Sequence, residues 1–146
     1  EYSPGFFDDV FLKIFRSKIA EKGGWDSEKA GYAGLIDDAH RLLIGRSKSE
    51  ASEISVRIIA SLFPPLLLQL FKKHISSIAG GKLAAEMSAR VTAASCQWLM
   101  GTCSVNPVDI SEGSSWSSGV SVERCKYLEE SKCVGVCINT CKIPTQ

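Results

Sequence analysis

No cysteine precedes Cys96, and all six then fall in the last third of the 146-residue chain. Six is too few for a disulfide-dense mini-protein, in which cysteine exceeds about 8–10% of a short chain. Charge of one sign is also lacking. Seventeen basic against 16 acidic side chains leave a formal charge of +1, a field too weak to indicate nucleic acid as a partner. The longest apolar run, Ala60 to Phe71, is interrupted by Ser61, Pro64, Pro65 and Gln69. It falls short of the about 20 residues that a bilayer-crossing helix needs. Walker-type, Gly-x-Gly-x-x-Gly, Gly-x-Ser-x-Gly and His-Glu-x-x-His patterns are all absent, so the familiar nucleotide, hydrolase and metalloprotease chemistries have no foothold. The two histidines, His40 and His74, lie on charged helical stretches and read as structural side chains. No charged-then-apolar leader follows Glu1, so the sequence itself addresses the chain to no compartment, and a removed targeting peptide would leave no trace.

What is present reads as one globular unit: 45% of residues are hydrophobic, 23% charged and only five are proline, a composition outside the disordered class. Residues 5–22 carry Phe7, Val10, Phe11, Ile14, Phe15 and Ile19 at helical spacing, and Gly23-Gly24 stops them. A second helix is predicted from Ser27, as N-cap, to Ile44, with Leu35, Ile36, Ala39, Leu42 and Leu43 inward. A third opens near Ser49 without a full capping box and runs to Pro64-Pro65, which re-aims the chain into a helix from Leu66 to Ile78. Another is expected from Lys82 to Met100. The Ser- and Gly-rich stretch Thr102–Arg124 reads as a loop or irregular hairpin, and a short helix runs from Cys133 to about Lys142. The expected architecture is mainly α: a single compact helical domain over residues 1–146, with a cysteine-bearing C-terminal helix. The adjacent pairs Asp37-Asp38 and Glu129-Glu130 read as solvated faces. Phe6, Phe7, Phe11 and Phe15, with Lys13, Arg16 and Lys18 nearby, suit either core packing or a membrane interface.

The cysteine spacing is Cys96-x6-Cys103, then Cys125-x7-Cys133-x3-Cys137-x3-Cys141. On a continuous α-helix the last three make one stripe, about 6 Å apart per step along the axis, drifting by about 40° at each step. Cys133 and Cys141 are then too far apart for a disulfide. The three thiols look toward shared partners such as Cys103 and Cys125, or toward a metal. Thiolates without histidine favour zinc or iron over harder ions. Disulfides and inert core thiols remain open as alternatives. Cys96, beside Ala93, Ala94 and Trp98, reads as core.

The block from Cys125 to Gln146 resembles the hallmark of the plastid β-carotene isomerase family, the dwarf-type isomerase of the strigolactone pathway and its paralogues. Gly5-Phe-Phe-Asp-Asp-Val-Phe11, Leu62-Phe-Pro-Pro65 and Gln97-Trp-Leu-Met-Gly-Thr-Cys103 agree with it along the rest of the chain. The resemblance implies a chloroplast protein that interconverts all-trans and 9-cis β-carotene through an iron centre, with an iron–sulfur cluster or zinc as variants. It maps the family's cysteines onto Cys125, Cys133, Cys137 and Cys141, with Cys103 as a further member, and leaves Cys96 outside. Family members usually continue past this point with a segment carrying another cysteine, so the resemblance implies that a further C-terminal extension is lacking here. The implied partners are a carotenoid and a peripheral thylakoid or envelope membrane. The non-catalytic alternative is a carotenoid-binding or accessory subunit of a photosynthetic membrane complex, its cysteine cluster a structural metal or redox site.

Overall fold

A computed structural model describes residues 5–74, 81–111 and 113–145, the side chains at 67, 68, 71, 72 and 74 excepted. Among the described residues the protein is mainly helical with one two-stranded antiparallel sheet. Its residues group into two compact units, one spanning Pro64–Cys125 and the other joining Ser3–Phe63 to Lys126–Gln146. Among the described residues no helix is long and apolar enough to cross a membrane.

The second unit is built from α1 (Phe6–Gly23), α2 (Gly31–Leu43), α3 (Lys48–Ala60), α7 (Lys126–Ser131) and α8 (Val134–Cys137), the last running into a π-turn, Ile138–Lys142. Helix α1 stops as expected: Gly24 adopts the left-handed conformation (φ 78°) and its N–H closes the helix on the Ala20 carbonyl. The core joins Leu12 and Ile19 of α1, Leu35, Ala39 and Leu42 of α2, Ala51 and Ile58 of α3, Tyr127 of α7 and Val136 of α8.

Two helix starts differ from the sequence expectation, each for a local reason. Ser27 does not cap α2, which begins after Ala30. Its N–H donates instead to Asp38 Oδ1 at 2.7 Å and its hydroxyl to Asp37 Oδ2 at 2.7 Å. Helix α3 starts with a complete capping box rather than at Ser49. The Ser47 hydroxyl accepts the Glu50 N–H (3.2 Å), and the Glu50 carboxylate accepts the Ser47 N–H (2.7 Å).

The pair Asp37-Asp38 is not one solvated face. Asp37, on the outer side, takes Lys29 Nζ at 2.9 Å, whereas Asp38 is only 1% exposed. Arg16 reaches Asp38 Oδ2 through Nε (2.9 Å), Asp26 through Nη2 (2.9 Å), and the carbonyls of Lys29 (2.9 Å) and Ser27 (2.8 Å). One guanidinium thereby ties α1 to the whole segment leading into α2. Gly34 makes room for it, since a Cβ there would lie 2.2 Å from the Lys29 carbonyl oxygen and 2.5 Å from Arg16 Cζ. Gly34→Ala is therefore expected to destabilise the protein by about 1–3 kcal/mol. Urea unfolding would register this as a lower midpoint at unchanged slope.

Three carboxylates titrate below their ordinary values. The Ser47 amide, then its hydroxyl, holds Glu50 down from 4.5. The Lys29 ammonium and the Ser27 hydroxyl do the same for Asp37, and Lys18 and Lys22 draw Glu21 down to about 2. Each takes up its proton less readily folded than unfolded. The stability each adds is thus present above the unfolded pKa and lost as pH falls through the folded one. The thermal midpoint is expected to drop from about pH 5 to about pH 2, and Glu50→Gln to shallow that slope. A set of melting curves across the range checks both.

The first unit holds α4 (Pro65–His74), α5 (Lys82–Ser95), α6 (Gln97–Met100) and the hairpin β1 (Cys103–Ser111) with β2 (Ser114–Val122). Pro65 opens α4 as its first residue, as Pro64-Pro65 predicts. The expected end of that helix, including Ile78 and Gly80, lies outside the described residues. The expected single helix from Lys82 to Met100 is broken at Cys96 (φ −100°, ψ 1°), which ends α5 and precedes α6. Of the two readings of Thr102–Arg124, loop or irregular hairpin, the structure has the hairpin, paired from two nine-residue strands. Its irregularity is confined to two register shifts, one at Pro107, where proline has no N–H for the ladder. Helix α5 packs on the hairpin through Ala84, Ala89 and Ala93. These small side chains allow a close approach.

Candidate functional site

Of the five cysteines expected to hold a metal, the first unit contains Cys103 and Cys125, and the second contains Cys133, Cys137 and Cys141. All six cysteines are thiols, none in a disulfide. Cys103 is buried at the start of β1, where its Sγ lies 3.3 Å from the Gly101 carbonyl. Burial pushes its thiol above 9.0, and the sulfurs of Cys96 and Cys125 push it further the same way. Those three sulfurs therefore share one electrostatic neighbourhood. Sequence reasoning set Cys96 aside as a helix-core residue; the break between α5 and α6 puts it at a half-buried junction instead. Its thiol is raised too, by burial, against a weaker opposing bond to the Ser95 hydroxyl. Both thiols stay protonated at neutral pH and are poor nucleophiles there.

In the second unit the expected stripe is not carried by one continuous α-helix. Lys132 adopts a left-handed conformation (φ 49°) after α7 and turns the chain into Cys133, which is extended (φ −141°) and caps α8. Cys137 ends α8, with its N–H on the Cys133 carbonyl at 3.2 Å. Cys141 lies in the π-turn. There the Ile143 N–H reaches back five residues to the Ile138 carbonyl (2.9 Å), an i→i+5 bond that rotates successive side chains out of α-helical register. Side chains serve the carbonyls near this distortion. Asn139 Nδ2 donates to Gly135 O and Thr140 Oγ1 to Val136 O, both at 2.7 Å, and the Tyr127 hydroxyl bonds Thr140 Oγ1 at 2.7 Å. Asn139, Thr140 and Tyr127 are all buried. Sequence reasoning did not single out this trio, although Asn-Thr between two cysteines four residues apart was its only visible trace.

All three cysteines of the second unit are half-buried. As soft, partly accessible thiols they have the donor chemistry that iron or zinc prefers. Among the described residues no group of three or more His, Cys, Asp or Glu side chains stands close enough to hold a metal ion. The interior of this unit also leaves little room for an organic ligand. The gap lined by Phe15, Ile19, Leu42, Ile58, Tyr127 and Thr140 has a volume of about 10 Å³, space for a single water at most. A larger, open groove of about 560 Å³ lies where α3 meets the π-turn, lined in part by Ser52, Val56, Asn139 and Ile143.

No solved structure matches this chain. Two curated proteins do: the chloroplastic beta-carotene isomerase D27 of Medicago truncatula, 27% identical over 99% of this chain, and that of Arabidopsis thaliana, 27% identical over 97%. The chain spans about half the length of these relatives, 56% and 53% respectively. Residues 98–146, which hold β1, β2, α7, α8, the π-turn and five of the six cysteines, match the family described as beta-carotene isomerase D27-like, C-terminal. The likeness to the D27-like family thus rests on that match over the cysteine-bearing end and on 27% identity to D27 along nearly all of the chain.

Proposed function

We propose that this chain is a plastid carotenoid isomerase that interconverts all-trans and 9-cis β-carotene, the 9-cis product feeding carotenoid cleavage toward strigolactone synthesis. The observation that carries the reading is the match of residues 98–146 to the D27-like C-terminal family. The plastid location rests on relatives that are named chloroplastic.

β-Carotene is a hydrocarbon with no polar handle for general acid–base catalysis, so the protein's own task is to bind, orient and keep water away. Apolar side chains stand ready for this on the first unit. Leu66 and Leu70 of α4, and Leu83, Met87 and Val91 of α5, are exposed one helical turn apart. They would supply the contact surface for the polyene. Cys103 and Cys125 in the first unit, and Cys133, Cys137 and Cys141 in the second, are the thiols offered as iron ligands; thiolate-bound iron would supply reversible one-electron exchange that lowers the order of the bond being turned. The alternative of covalent addition by a thiol gains nothing from Cys96, whose burial raises its thiol and keeps it protonated. Zinc has no redox chemistry and in this reading would serve as a structural ion only.

The test uses anaerobically prepared protein and all-trans-β-carotene in detergent micelles, with isomers separated by chromatography. Accumulating 9-cis product supports the isomerase. An unchanged isomer ratio from protein that retains both metal and bound carotenoid would move the assignment to a carotenoid-binding or accessory subunit of a photosynthetic membrane complex.

A further inference from the structure

Helix α1 is apolar on two sides. Leu12, Phe15 and Ile19 face the core of the second unit, with Leu12 and Ile19 buried. Phe6, Phe7, Val10, Phe11 and Ile14 occupy a separate arc of about 140°, at 100° per residue, and every one of them is exposed, Phe6 by 78% and Phe7 by 73%. Phe6 and Phe7 meet edge to face at 5.8 Å but cover little of each other. Together the five expose on the order of 500 Å² of apolar surface, near the upper end of what monomeric proteins carry and of a size that is often functional.

From this face we infer a peripheral lipid-binding site: α1 lies on a membrane surface, with Phe6, Phe7, Phe11 and Ile14 inserted among the acyl chains. Three observations select lipid over a protein partner. No charged side chain stands inside the arc before Lys18, while Lys13 and Lys18 mark its two margins. The long Lys13 stem can follow the apolar surface and present its ammonium group to anionic headgroups. Exposure is greatest at the helix start and falls to 38–47% at Val10, Phe11 and Ile14. That gradient suits a shallow, tilted insertion of about 5–10 Å. Finally, the area is well below the about 800 Å² per partner of a stable protein interface. Asp9 lies beyond the arc on the Lys13 side, and Glu21 is already engaged by Lys18 and Lys22. The inference goes beyond the isomerase reading and does not depend on it, because vesicle binding needs no turnover.

The experiment is flotation of the full chain with vesicles of phosphatidylcholine alone or mixed with phosphatidylglycerol. The protein is expected to float with the mixed vesicles, and Phe7→Gln/Phe11→Gln to cut the bound fraction at least about tenfold. Lys13→Glu is expected to weaken binding several-fold on the anionic vesicles alone. All these side chains are exposed, so both variants should keep the wild-type far-UV circular dichroism and melting midpoint. Failure of the wild-type chain to float with either vesicle overturns the inference. Equal flotation of the folded double variant does so too. A concentration-dependent dimer that the double variant abolishes, without vesicle binding, would reassign the face to a second copy of the chain.

Discussion

Arg16→Met is expected to lower the free energy of unfolding by about 3–5 kcal/mol, the range seen when one partner of a buried ion pair is removed. Domains of this size have about 5–15 kcal/mol in total, so the variant should be close to unfolding at 37 °C. The reason lies in what stays behind. Among the described residues Asp38 would keep, for its buried carboxylate, the Ser27 amide alone as partner at 2.7 Å, and the carbonyls of Ser27 and Lys29 and the carboxylate of Asp26 would each lose a donor. Burial already pushes Asp38 above its ordinary 3.8, with the Arg16 guanidinium and the Ser27 amide pulling it down. Without Arg16 it should rise further. A carboxyl raised in the folded state takes a proton more readily folded than unfolded, so its contribution is fullest in acid and declines as pH climbs through the folded pKa. The deficit of Arg16→Met should therefore be smaller at about pH 4 than at about pH 7. Arg16→Met/Asp38→Leu, which removes both charges, should recover part of the loss. Denaturant unfolding of the three proteins at both pH values checks the set. Additive losses in the double variant would show that the two charges are not coupled.

The second large effect concerns the cysteines. Cys133→Ser/Cys137→Ser is expected to lose bound iron, measured as metal per chain, and to lower isomer turnover at least about a hundredfold, because thiolate ligands carry the binding free energy of such a site. Cys96→Ala, at a position outside the proposed set, should keep its metal. Serine at 133 and 137 fills nearly the volume of cysteine at two half-buried positions, so a folding defect is not expected, and circular dichroism would detect one. Full metal content in the double variant would remove Cys133 and Cys137 from the ligand set.

Features governed by neighbours in sequence were legible before the structure. The end of α1 at Gly23-Gly24, the proline-led start of α4 and the mainly α class follow from local rules that act within a few residues. The misses share a different cause. The burial of Asp38 depends on Arg16, which is 22 residues away; an adjacent carboxylate pair gives no sign of which member will meet a guanidinium. Ser27 was available as a cap, but its hydroxyl bonds Asp37 and the Lys29 N–H while its own N–H goes to Asp38, and the helix starts only after Ala30. The Ser47–Glu50 box was visible as Ser-x-x-Glu and was passed over for Ser49, a matter of choosing between three nearby serines. At the C-terminal end, i, i+4, i+8 spacing reads as one stripe only while the helix stays α. The left-handed Lys132 and the π-turn break that periodicity, and the bonds from Asn139 and Thr140 that accompany it carry no hydrophobic pattern.

The most direct test of the carotenoid isomerase assignment is the isomer ratio approached from both sides. All-trans and 9-cis β-carotene are each incubated, in micelles and without light, with protein at about one-hundredth of the carotenoid concentration. A catalyst must carry both mixtures to one common ratio and turn over many molecules per chain. That convergence is expected, at a rate proportional to protein. Two mixtures that keep their starting geometry, or that shift by no more than one molecule per chain, would contradict it.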